Sequence, residues 1–86
     1  MSGQVLYKKS VARDLRSLDA SMRKEIMSKI GKEFSNLHRA KIKSKKLTGE
    51  FKGLYRFRIG NYRVIYAQIP QGILILRISH RKEAYL

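Results

Sequence analysis

The chain contains no cysteine, only six acidic residues and no unbroken apolar run longer than four residues. Each shortage removes a class of protein. Without thiols there is neither a disulfide framework nor a thiolate zinc site, which suits a reducing compartment. The longest apolar runs, residues 64–67 and 73–76, fall far short of a membrane span. The N-terminal residues alternate like a strand and have no apolar core of a signal peptide, so a cytoplasmic location is expected. The acids Asp14, Asp19, Glu25, Glu33, Glu50 and Glu83 are scattered, with no pair spaced for two metals. His38 and His80 stand apart from each other, and no phosphate-cradling glycine loop or serine or cysteine nucleophile motif is present. No metal and no cofactor are expected.

What the chain has in excess is positive charge. Its 86 residues carry 20 Lys and Arg and a formal net charge of +14. Such a balance favours a polyanion, because phosphates and the counterions they release reward it. An acidic protein partner could neutralise the same surface. A membrane surface fits least, since neither expected helix pairs a basic face with aromatic anchors. The charge is also uneven. Residues 1–37 carry eight cations and four anions, whereas residues 38–86 carry twelve and two. With 43% apolar residues the chain can bury a core, so a single folded domain over residues 1–86 is expected.

Residues 4–8 read as a short strand with Val5 and Tyr7 on one side. Ser10 can cap a helix whose Val11, Leu15 and Leu18 share one face. Asp19 or Ser21 starts a second helix with Met22, Ile26, Ile30, Phe34 and Leu37 as its stripe, and the tight break between them makes a helical hairpin. Gly31 inside that helix costs about 1 kcal/mol against alanine, which suggests close packing. Residues 39–46, RAKIKSKK, read as a solvated basic connection. Its Lys41, Lys43, Lys45 and Lys46, followed by Lys52, are candidates for phosphate contact. From Leu54 the period changes to two, giving strands at residues 54–59, 62–68 and 73–79 joined by Gly60-Asn61 and by Pro70-Gln71-Gly72. The expected fold is α+β in the order β-α-α-β-β-β, with the helical hairpin on one face of a small antiparallel sheet and the other face open.

The two-residue Gly60-Asn61 turn sets the register. Arg58 falls opposite Arg63, Arg56 opposite Ile65 and Tyr55 opposite Tyr66. Alternation sends Tyr55, Phe57, Ile59, Tyr62, Val64 and Tyr66 toward the helices, and Arg56, Arg58 and Arg63 together to the open face. Like charges directly opposite destabilise a ladder. Three long side chains splayed into water would soften that cost. A phosphate pocket explains the arrangement better, since guanidinium forks bind oxygens bidentately and Glu50 is the only anion within reach in sequence. If Ile69 opposes Ile73, Arg77 joins the open face and Ser79 comes beside Arg63. The end of the chain, with His80, Arg81 and Tyr85, is either a solvated tail or a source of proton transfer and a stacking ring.

The stretch KLTGEFKGLYRFRIGNYRVIY over residues 46–66, with ILRISHRKEAY over residues 75–85, resembles the RelE/ParE toxin superfamily and most closely its RelE branch. The resemblance covers nearly the whole chain. It implies an endoribonuclease that enters the A site of the 70S ribosome, cuts mRNA with the RNA 2′-hydroxyl as nucleophile, and is held in check by a cognate acidic antitoxin. It further implies that Arg56, Arg58 and Arg63 stabilise the charged phosphorane. Arg81 or His80 would protonate the leaving 5′-oxygen, and Tyr85 would orient the base. The best-known members have lysines where this chain has Arg56 and Arg58. An arginine stays protonated and is a poor base, which leaves His80 and Tyr85 as candidates for taking the 2′-OH proton. The alternatives are a ParE-like inhibitor of DNA gyrase and a non-catalytic RNA-binding or ribosome-associated module.

Overall fold

The computed structural model describes residues 4–80, with the backbone alone at Leu37 and His38. Strand β1 (Gln4–Tyr7) leads into helices α1 (Lys9–Arg16) and α2 (Ala20–Glu33). Asp19 caps α2, its Oδ1 accepting from the Met22 N–H at 2.7 Å. Ser10 is not a cap. It lies in the first turn of α1 and its hydroxyl donates to the Leu76 carbonyl at 3.1 Å. Arg23 closes the joint of the hairpin, donating to the Leu15 and Leu18 carbonyls at 3.1 and 3.0 Å. The first of these carbonyls, in the last turn of α1, also accepts from the Leu18 N–H at 3.1 Å.

Gly31 corrects an expectation. A Cβ there would meet nothing within 4 Å, so the glycine is not a point of close packing. Gly31→Ala should therefore stabilise the protein by about 0.5–1 kcal/mol through lost unfolded-state entropy alone. A higher urea midpoint at unchanged slope is the expected result, and a lower midpoint would count against it.

Residues 39–46 are also more ordered than their charge suggests. Helix α3 (Leu37–Lys43) occupies most of the run, capped by Asn36, whose Oδ1 accepts from the Arg39 N–H at 3.1 Å. Ala40 is buried in the core and anchors the helix, while Arg39, Lys41 and Lys43 remain in water. The signal was a cap residue ahead of good helix formers around one small apolar residue. Ser44 ends the helix, sharing a 2.6 Å hydrogen bond with the Tyr66 hydroxyl. Burial raises the Tyr66 phenol above its ordinary pKa, with the Ser44 bond opposing and Tyr55 adding to the shift.

Strands β2 (Lys45–Lys46), β3 (Leu54–Ile59), β4 (Tyr62–Ile69) and β5 (Gly72–His80) complete a sheet in the order β1-β5-β4-β3-β2. A 3-10 turn, Gly49–Phe51, links β2 and β3. The sheet is mixed rather than antiparallel, because β1 runs parallel to β5, Val5 beside Ile73 and Tyr7 beside Ile75. Alternating hydrophobicity specifies faces and not pairing direction, so this was not readable in residues 4–8. Beyond Ile75, α1 takes over the edge of β5. Asp14 Oδ2 accepts from the Ile78 N–H at 2.9 Å and from Arg77 Nε at 3.1 Å.

On the helix side, Val11, Ile26, Ile30, Phe34 and Ala40 meet Phe57, Ile59, Val64, Tyr66, Ile73, Ile75 and Ile78. Phe34 sits at the centre, its ring 5.2 Å from both Phe57 and Tyr66.

Candidate functional site

The hairpin of β3 and β4 has the register the turn dictates, Ile59 opposite Tyr62 and Arg58 opposite Arg63. Gly60 alone takes positive φ, 58°, which fits the II′ class of two-residue turn. Between β4 and β5 the register has two parts. Ile69 opposes Gly72, not Ile73, so this turn is one residue shorter than expected. A bulge at Leu76 then restores the difference, and beyond it Ile65 opposes Arg77 and Arg63 opposes Ser79.

Two cross-strand rows result on the face away from the helices. Lys45, Arg56, Ile65 and Arg77 lie side by side across β2 to β5, and Arg58, Arg63 and Ser79 form the next row. Arg56, Arg58 and Arg63 thus share one face, as the turn implied. Arg58 is exposed, whereas Arg56 and Arg63 are half-buried. Ile65 is only 5% exposed although it lies on this face, which the apolar stems of the flanking arginines explain. Arg77 joins the face but is tied to Asp14, a partner sequence reasoning missed because 63 positions separate them.

The other candidates separate. His80 lies opposite Tyr62, whose parity puts both rings on the helix side, and the rings meet edge to face at 5.2 Å and 83°. His80 is therefore not among the arginines, although it shares the hairpin end of the sheet with them. Arg81 and Tyr85 lie outside the described residues. Of the lysines, Lys45 is on the arginine face, while Lys46 opposes Tyr55 and so points the other way. Lys41 sits 5.9 Å from the centre of the Tyr55 ring, and Lys52 is exposed just after the 3-10 turn.

Lys43 belongs to a second feature. β2 pairs only with Tyr55 and Arg56, and beside the rest of β3 a cleft of about 370 Å³ opens between strand and α2. Lys29, Lys43, Lys45, Arg56 and Arg58 line it together with Glu33. Glu33 is already engaged by Lys43 at 3.2 Å and Arg39 at 4.0 Å. The balance of charge around this cleft suits an extended polyanion running from the β3 edge onto the arginine face. Lys29 and Glu33 were hidden in sequence because they belong to the solvent side of a core helix. Among the described residues, no three His, Cys, Asp or Glu side chains come together as metal ligands, and no helix is long and apolar enough to cross a membrane.

Comparisons with known proteins agree with this architecture. Residues 5–85 match the family model for the ParE toxin of type II toxin–antitoxin systems, parDE. Toxin RelE3 of Methanocaldococcus jannaschii is 32% identical over 84 residues, covering 95% of this chain and 94% of that protein. The RelBE2 toxin–antitoxin complex from Mycobacterium tuberculosis gives a TM-score of 0.76 at 26% identity over 94% of this chain and 100% of that one. The archaeal RelE–RelB complex from Pyrococcus horikoshii gives 0.69 at 31% identity, covering 98% and 100%. The chain belongs to the RelE/ParE family, toxins of type II toxin–antitoxin systems.

Proposed function

We propose that this toxin is a ribosome-dependent endoribonuclease that cuts mRNA in the A site and is neutralised by a cognate acidic antitoxin. The observation that carries the reading is Arg58 directly opposite Arg63, with Arg56 beside them, on the sheet face away from the helices. In the reaction the mRNA 2′-oxygen gives up its proton and attacks the adjacent phosphorus. The bond to the 5′-oxygen breaks, leaving a 2′,3′-cyclic phosphate, and the 5′-oxygen takes up a proton. Charge on the phosphoryl oxygens grows along this path, and fixed guanidinium donors stabilise it most where it is greatest. The family resemblance supports Arg81 for protonating the 5′-oxygen and Tyr85 for orienting the base or accepting the 2′-OH proton. His80, on the far face, is less well placed for either step.

Arginine is a poor general base, and one face of a small sheet cannot alone hold a flexible strand in line. The ribosome would supply that geometry, with Lys41, Lys43, Lys45, Lys46 and Lys52 on rRNA phosphates and Arg77 beside the mRNA. The antitoxin is proposed from the RelB-type partners in the neighbouring complexes. It is expected to be acidic because it must cover a +14 chain.

Purified toxin should leave naked mRNA intact over times that suffice for complete cutting on programmed ribosomes, and ribosome binding should weaken steeply between 50 and 200 mM salt. Equal rates on free and ribosome-bound RNA would overturn the A-site mechanism. The family model's ParE description favours gyrase inhibition as the second reading. Loss of supercoiling by purified gyrase, with mRNA intact on ribosomes, would establish that one instead.

A further inference from the structure

A second, smaller cleft of about 140 Å³ opens at the tip of the β3–β4 hairpin, lined by Arg58, Gly60, Tyr62 and Arg63. Its lining draws on both faces of the sheet, because the arginines belong to the open face and Tyr62 to the helix side. Gly60 makes this possible. It sits between them without a side chain, and nothing lies within 4 Å of where a Cβ would be. The cleft therefore wraps around the end of the hairpin.

Its size and chemistry suit one kind of occupant. An apolar cavity of about 150 Å³ holds a benzene ring, whereas whole drug-sized ligands need roughly 300 Å³ or more. A single planar ring fits here and a complete nucleotide does not. Two of the four lining residues are guanidinium forks, suited to phosphate, and one is an aromatic ring, suited to a base. Tyr62 is half-buried, packed inward against the core and held edge to face by His80. Such a ring is already ordered, so little side-chain entropy is lost when something stacks on it.

We propose that this tip cleft is a nucleobase subsite, in which Tyr62 stacks on one base of a single-stranded RNA while Arg58 and Arg63 hold the adjoining phosphate. The proposal rests on the reading of the arginine face as an mRNA site and adds a base contact to it. His80 thereby has a role on the helix side, bracing the Tyr62 ring. The subsite reads the π-face of a base, so it fixes the position of the strand with little demand on sequence.

The test walks an abasic residue along a short RNA whose riboses are 2′-O-methylated, so that binding is measured without cutting. Fluorescence anisotropy with the full chain should show one position where loss of the base weakens binding by about 10-fold to 100-fold. Tyr62→Phe should keep that penalty and Tyr62→Leu should abolish it. Because Tyr62 also touches the core, Tyr62→Leu is first checked by circular dichroism. If it does not fold, ring-current shifts of the wild-type Tyr62 protons on binding decide the matter. A flat abasic scan, no RNA binding at low salt, or unshifted Tyr62 protons would each overturn the subsite. If the scan is flat while programmed ribosomes are still cut, the subsite fails alone and the endoribonuclease reading stands. If the penalty is present and ribosomal mRNA stays whole, the subsite stands and that reading falls.

Discussion

Arg63→Ala is expected to slow cleavage of ribosome-bound mRNA by on the order of 10²–10³, the usual effect of removing one fixed charge from a site where charge develops. The same change should abolish growth inhibition. Folding should survive it, since Arg63 points away from the core. A cooperative thermal transition is the accompanying observation. Arg63→Lys keeps the charge but loses the fork, and its activity should fall between the two. Undiminished cleavage by Arg63→Ala at equal protein concentration would remove this residue from the mechanism.

A large loss of stability is expected at Asp14. One carboxylate oxygen accepts both the Ile78 N–H and Arg77 Nε, and the Asp14 side chain is only 10% exposed. Asp14→Ala leaves a part-buried backbone donor on β5 without this acceptor and takes one countercharge from Arg77. Together these should cost roughly 2–4 kcal/mol, allowing for solvent around the partly exposed arginine. A chain of this size has about 4–13 kcal/mol in all. The midpoint in urea should therefore fall sharply, and Asp14→Asn, which keeps an acceptor for Ile78, should recover part of it. A wild-type midpoint for Asp14→Ala would show that α1 does not depend on this contact to hold the sheet edge.

The part of the chain from Leu54 onward was the more legible, for a physical reason. A two-residue turn and strict alternation leave one register in which apolar residues face the helices, so the arginine face followed from Gly60 and Asn61 alone. Contacts between distant segments leave no such trace. The pairing of Asp14 with Arg77, the parallel seat of β1 on β5, and the cleft under Lys29 and Glu33 all depend on how helices lie over the sheet. Helix α3 was missed because its charge outweighed its cap, and Gly31 was misread because a glycine in a helix does not reveal whether it has a neighbour. His80 was placed with Arg81 and Tyr85 by nearness in sequence, and strand parity separates it from the arginines on the sheet.

The bulge at Leu76 separates two registers along β5, one that serves the turn and β1 and another that aligns Arg77 and Ser79 with Ile65 and Arg63. It acts as a slip joint. A turn of three residues with no bulge would give the same partners at the arginine face as a turn of two residues with one. Loop length at Pro70-Gln71 can thus drift by a residue through evolution, provided the bulge moves with it, while the spacing of the guanidinium groups stays fixed. The part of the sheet that carries the arginines is in this way mechanically insulated from the part that closes the fold.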